Sequence, residues 1–169
     1  MIRRLEVESK TYRKFDPVKS KGVYVSVTPN ANSILLISRY ASLIGMPLLL
    51  QEQHELHCTV VYSRSIPKVT PRLDAQKVYR ARIVGVNWWL GHDKAGYLVL
   101  VLNSPDLSEL HREWYDSGCT SSFGDYVPHV TLKKDFGPRP PNLGLIRDKL
   151  AKYIGTSLEF SSAALEGLN

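Results

Sequence analysis

Cysteine is scarce in this 169-residue chain, and the two present, Cys58 and Cys119, form neither a Cys-x-x-Cys pair nor a disulfide framework. That argues against a disulfide-stapled scaffold and fits a reducing, cytoplasmic setting. Long apolar runs are missing as well. The best candidate, residues 34–50, is interrupted by Ser38, Arg39, Ser42, Gly45 and Pro47. It falls short of the ~20 apolar residues that cross a bilayer, so no membrane association is expected. Residues 1–21 are polar and basic, without the apolar stretch of a secretory signal, and none is expected. His54-x-x-His57 resembles metal-ligand spacing, but no cysteine or acidic cluster completes a ligand set. No metal or other cofactor is therefore expected.

What is present is ordinary in bulk and unusual in pattern. A hydrophobic fraction of 43% and a charged fraction of 22% are those of a soluble globular protein, and the length suits one domain with its own core. Twenty-two lysines and arginines against 16 acidic residues give a formal net charge of +6. That balance suits a phosphate-rich partner, and suits equally a solvated basic surface.

Periodicity predicts a basic arm or added strand over residues 1–21, then a single domain over 22–169. Residues 22–27 alternate as a strand that ends at Pro29-Asn30. Asn32 or Ser33 is placed to cap a helix carrying Leu35, Ile37, Tyr40, Ala41 and Ile44, stopped by Gly45 and Pro47. Residues 57–63 read as a strand, and 78–90 as a long strand bulged near Gly85. The apolar run 97–102 reads as a central strand buried on both faces. Ser104-Pro105 opens a helix with Leu107, Leu110 and Trp114 turned inward and Gly118 at its end. Residues 129–136 read as a strand, Asn142 caps a further helix, and residues 157–165 form the last strand. The order is α+β, with a helix ahead of a histidine-bearing strand in each half.

Two four-residue stretches repeat one another: His57-Cys58-Thr59-Val60 and His129-Val130-Thr131-Leu132. In a strand, the histidine and threonine share one face, and the two apolar residues share the other. Converging across one cleft, two imidazoles that titrate near pH 6.5 hold one neutral and one protonated ring together. That is the equipment for concerted general acid–base catalysis, with threonine hydroxyls donating to nonbridging phosphate oxygens. Lys133 falls on the same strand face and adds a positive charge. A single His-x-Thr is usually a satisfied structural pair. Two copies, about half a chain apart, are far harder to reach by accident.

The paired signatures resemble those of the two-histidine (2H) phosphoesterase superfamily, from about residue 22 to residue 165. The resemblance implies a bilobal α+β fold of two pseudo-symmetric halves, each with a small antiparallel sheet and packing helices around a common cleft. It also implies phosphodiester cleavage without a metal, with His57, Thr59, His129 and Thr131 as the catalytic set. Within the superfamily the spacing is most similar to phage anti-CBASS phosphodiesterases, which degrade the cyclic oligonucleotide signals of bacterial antiphage defence in the host cytoplasm. By that resemblance Tyr24 and Trp88 sandwich a base and Glu159 accepts from its exocyclic amine. Trp89 and Glu166 are the competing tryptophan and carboxylate, because a one-residue slip exchanges the faces of a strand.

Two alternatives stay open at this level. An RNA-processing member of the superfamily, acting on 2′,3′-cyclic phosphates or RNA ends, would use a basic groove of Arg64, Lys68, Arg72, Arg80 and Arg82. A nucleotide- or RNA-binding module without catalysis is the other. No obligatory protein partner is implied.

Overall fold

A computed structural model describes residues 4–5, 13–91, 94–121, 124–134 and 139–169. The arm contributes two short strands, β1 (Arg4–Leu5) and β2 (Arg13–Lys14). There follow β3 (Gly22–Pro29), α1 (Ala31–Leu43), α2 (Leu50–His54), β4 (Cys58–Ser63), β5 (Tyr79–Gly91) and β6 (Gly96–Asn103). The chain closes with α3 (Pro105–Asp116), β7 (His129–Lys133), α4 (Leu143–Leu150), a 3-10 turn at Ala151–Tyr153, and β8 (Ser157–Leu168). None of the described helices is long and apolar enough to cross a membrane.

Local chemistry sets the boundaries. The Ser104 hydroxyl accepts from the Leu107 amide at 3.1 Å and donates to the Arg80 carbonyl at 2.6 Å, so one side chain caps α3 and ties it to β5. Asn142 caps α4 by accepting from the Leu145 amide at 3.1 Å. The α1 cap is Asn30 rather than Asn32 or Ser33. The Asn30 carboxamide accepts from the Ser33 amide at 2.9 Å, and the Ser33 hydroxyl accepts from the Glu159 amide at 2.8 Å instead. The short helix α2, which the sequence did not signal, starts where the Glu52 carboxylate accepts from the Leu49 amide at 2.7 Å. The strand expected over 129–136 ends at Lys133, and residues 135–136 lie outside the described set.

The strands form one sheet in the order β4-β3-β8-β5-β6-β7, antiparallel throughout this path. A single connected sheet replaces the two small ones expected. The reason is the length of β8, whose residues 157–160 pair with β5 while 160–168 pair with β3. Phe160 is the residue at which β8 pairs with both β3 and β5. Beyond it β8 and β5 separate, each with one edge no longer joined to the other. The arm fills those edges: β2 pairs with β8 at Glu166 and Gly167, and β1 pairs parallel with β5 at Leu90 and Gly91. Covering open edges in this way removes a template for intermolecular pairing. The path's two outer strands, β4 and β7, come into contact with each other.

Helices α1, α3 and α4 cover the main core. Leu107, Leu110 and Trp114 are buried there as expected, along with Cys58, Val60, Val130 and Leu132. A second, smaller apolar cluster, built on Trp89, Tyr97 and Val99, occupies the other face of β5 and β6. A bulge between Ile83 and Gly85 separates the two environments. Before it Tyr79, Ala81 and Ile83 point into the main core, and after it Val86 does. The phase of alternation therefore shifts by one, and Trp89 turns to the second face.

Candidate active site

Each His-x-Thr unit is held by the same two local devices. In the first, Ser26 pairs with Thr59 and Val25 with Val61, leaving Val60 as an extra residue. In the second, Val99 pairs with Thr131 and Leu98 with Lys133, leaving Leu132 extra. A β-bulge thus falls immediately after each threonine. The second device fixes the imidazoles. Nδ1 of His57 lies 2.7 Å from the Glu55 carbonyl, and Nδ1 of His129 lies 2.9 Å from the Val127 carbonyl, each two residues upstream. A carbonyl only accepts, so Nδ1 carries the hydrogen in both rings, and Nε2 is the nitrogen that can exchange a proton.

Both units border one cleft of about 760 Å³. His57, Thr59, His129 and Thr131 all line it, as do Tyr24 and Lys133. His57 is exposed, whereas His129 is half-buried with its ring edge-on to Trp89 at a centroid distance of 4.5 Å. Tyr24 is 6% exposed, its ring edge-on to His57 at 6.3 Å, and its hydroxyl is 3.1 Å from the Thr59 hydroxyl. Burial pushes the Tyr24 phenol above its ordinary range, so it stays protonated at neutral pH.

Lys133 reaches across to α2. Its ammonium donates to both carboxylate oxygens of Glu52 at 2.7 and 2.8 Å. These bonds hold the Glu52 carboxyl below its usual value. The contact ties the second motif's strand to the helix just ahead of the first motif. His54 also lines the cleft, and among the described residues no group of three His, Cys, Asp or Glu side chains is arranged to hold a metal ion.

Two residues with expected roles lie elsewhere. Trp88 does not line the cleft, and Trp89 does, because the bulge near Gly85 reverses which tryptophan faces it. Glu159 is likewise absent from the lining. Its carboxylate accepts from Arg80 at 3.3 Å and from Asn30 at 3.1 Å, beside the start of α1. Glu166, paired in register with Tyr24, lines the cleft instead. Arg64, Lys68, Arg72, Arg80 and Arg82 are not part of the lining, so the basic groove of the RNA reading is not assembled there.

The backbone of the first motif has supports that sequence patterning missed. Tyr126, three residues ahead of His129, donates its hydroxyl to the Thr59 carbonyl at 3.0 Å. His111 of α3 donates from Nδ1 to the Val60 carbonyl at 2.7 Å. The two rings stack at 4.2 Å with planes 4° apart. β4 is an outer strand, and its bulge leaves carbonyls that the sheet does not satisfy, so side chains complete the accounting. Burial raises the Tyr126 phenol well above its usual range, with Cys58 reinforcing the shift. The segment leading into the second motif thereby grips the first.

Comparison with known proteins identifies the family. The family model described as "Anti-CBASS protein Acb1" matches residues 21–161. Proteins of that name from Escherichia phage RB16 and Vibrio phage KVP40 are 31% identical over 120 residues and 30% identical over 118. Each alignment covers 70% of this chain, with 66% of the RB16 protein and 76% of the KVP40 protein. The namesake from Enterobacteria phage T4 is 34% identical over 86 residues, 51% of this chain and 55% of its own length. The chain spans just under two thirds of the RB16 relative. With the family model matched over most of its length, the chain belongs to the anti-CBASS protein Acb1 family.

Proposed function

We propose that this protein is a metal-independent phosphodiesterase of two-histidine type that opens 3′,5′-phosphodiester bonds of cyclic oligonucleotide signals, countering CBASS defence in the cytoplasm of a phage-infected host. The observation that carries the reading is the repeated unit at the cleft. Two histidines, each with Nδ1 bound to the carbonyl two residues upstream, are each followed by a threonine and a bulge. The shared device also supports descent of the two motif-bearing parts from one bilobal, pseudo-symmetric plan.

In this mechanism one imidazole takes a proton at Nε2 from the attacking oxygen, which is water or an adjacent ribose hydroxyl. The other imidazole, protonated at Nε2, gives its proton to the leaving oxygen. The phosphorus–oxygen bond to the leaving group breaks as the bond to the nucleophile forms, and the pair of rings ends with its protons exchanged. Thr59 and Thr131 donate to nonbridging oxygens as charge grows on them. The protonated Tyr24 phenol donates to the Thr59 oxygen, leaving the Thr59 hydrogen for the phosphate. In this reading Trp89 and Glu166, which line the cleft where Trp88 and Glu159 do not, border the bound base, Trp89 as a wall only 4% exposed.

The test is a panel in excess EDTA of cyclic di- and trinucleotides, 2′,3′-cyclic mononucleotides and short RNA, offered to the parent protein and to His57→Ala and His129→Ala. Turnover of the cyclic oligonucleotides by the parent alone is the expected result. Turnover restricted to 2′,3′-cyclic ends would transfer the site to RNA processing. Binding without turnover by all three proteins would make the chain a non-catalytic module.

A further inference from the structure

α3 has an outer face that the chemistry at the motifs leaves unused. Leu107, Leu110 and Trp114 fill the core side of the helix. Ser108, His111, Arg112 and Tyr115 follow the i, i+3, i+4, i+7 spacing that places side chains on one face. All four line a second, shallower cavity of about 440 Å³. It is continuous with the main cleft, because His111, Tyr115 and Tyr126 line both.

The rings on this face form a series that begins at the first motif. Tyr126 is bonded to the Thr59 carbonyl, and His111 stacks on it. Tyr115 continues outward, its ring 6.5 Å from His111 and 22° from parallel. Tyr115 is 55% exposed, an unusual place for an aromatic ring that contributes nothing to the core. The ring stands at the outer end of the series with a face open to an incoming base. Arg112, one residue after His111 and three before Tyr115, is exposed on that face, where a guanidinium can meet phosphate oxygens in a two-pronged contact.

We infer that this face of α3 is a second nucleotide subsite, where Tyr115 stacks the base and Arg112 pairs with the phosphate of a nucleotide one step removed from the cleaved bond. The inference rests on the reading of the cleft as a cyclic oligonucleotide site. A nucleotide of that kind exists only in rings of three or more, since both nucleotides of a cyclic dinucleotide adjoin the bond being cleaved. The subsite therefore favours larger rings without touching the reacting atoms. Base–aromatic stacking is tolerant of base identity, so ring size rather than sequence is what it selects.

Steady-state kinetics on a cyclic trinucleotide and a cyclic dinucleotide test this with Tyr115→Ala, Tyr115→Phe and Arg112→Gln. Tyr115→Ala raises KM for the trinucleotide about tenfold, the weight of one stacked base, with kcat held. KM for the dinucleotide moves less than twofold. Tyr115→Phe restores the trinucleotide KM, and Arg112→Gln raises it severalfold while flattening its dependence on salt. Equal effects on both rings, or none on either, would overturn the subsite. So would a parent enzyme that cleaves the dinucleotide and leaves the trinucleotide intact. A parent inactive on both rings is a different failure, that of the cyclic oligonucleotide reading itself, and removes the subsite with it.

Discussion

The two His-x-Thr units share their backbone device and differ in everything around it. His57 is exposed, with Tyr24 beside it and Tyr24 bonded to Thr59. His129 is half-buried against Trp89, on a strand whose last residue, Lys133, is paired with Glu52. The first unit borrows its rigidity from outside, through Tyr126 and His111 on the Thr59 and Val60 carbonyls. The second carries an aromatic wall of its own in Trp89 and Tyr97. A repeated motif has therefore been set in two unlike frames, one open to water and one shielded. Under the proposed acid–base reading, the two imidazoles would act from unequal surroundings.

Removing either imidazole is the severest way to break this pairing. His57→Ala and His129→Ala are each expected to lower kcat on a cyclic oligonucleotide by roughly 10²–10⁴-fold. The double variant should lose little beyond the worse single one, since residues acting as a unit are not additive. Stopped assays with quantified products at matched protein concentration measure both. Next in size are the hydroxyls. Thr59→Val and Thr131→Val should each cost on the order of 10²-fold in kcat if both donate to the developing charge. A large loss at one and none at the other would show that only one unit contacts the phosphate.

A smaller effect separates the frames. Tyr126→Phe deletes the bond to Thr59 and leaves that carbonyl short of a donor, at about 1–3 kcal/mol of stability by denaturant unfolding. The deleted bond belongs to the first unit, so the two frames should respond unequally. Trp88→Ala and Trp89→Ala give a matched comparison of neighbours, because only Trp89 lines the cleft. Catalytic efficiency on the cyclic oligonucleotide should fall for Trp89→Ala, which removes the wall beside His129, and Trp88→Ala should leave it within about twofold of the parent.

The smallest effect concerns the link between the halves of the site. Glu52 has a lowered folded-state pKa, because Lys133 binds its charged form. The unfolded chain consequently holds more protons in the window between that lower value and the ordinary carboxylate value of 4.5. The stabilisation is present above that value and is lost as pH falls through the lower folded value. Thermal melts of the parent should decline across that acid window, and Glu52→Gln should decline less. The pair is partly solvent-accessible, so the difference is small and shrinks with added salt.

Much of this arrangement was legible in the chain, and the misses have physical causes. Strand alternation and turn chemistry placed the histidine strands, the Ser104 and Asn142 caps and the Gly85 bulge. The bulge was seen but its effect on phase was not carried forward to residue 88. Val86 in the core already implied that Trp88 shares its side and that Trp89 faces the cleft. Glu159 lies outside the cleft lining for a different reason. Its fate depends on Arg80 and Asn30, which are brought to it by sheet register rather than by sequence proximity. Tyr126 and His111 carried no pattern at all, since their partners are backbone carbonyls freed by a bulge on another strand. The joined sheet followed from the reach of β8, a matter of strand length that short periodic windows do not report.

The most direct measurement is the pH dependence of kcat/KM for a cyclic oligonucleotide in excess EDTA, for the parent and for each histidine variant. Two imidazoles sharing acid and base roles require a bell-shaped profile in the parent, unaffected by the chelator. They also require that each single histidine variant lose the bell along with most of its rate. Activity abolished by EDTA and restored by a divalent cation would contradict the two-histidine mechanism, as would an unchanged bell in either variant.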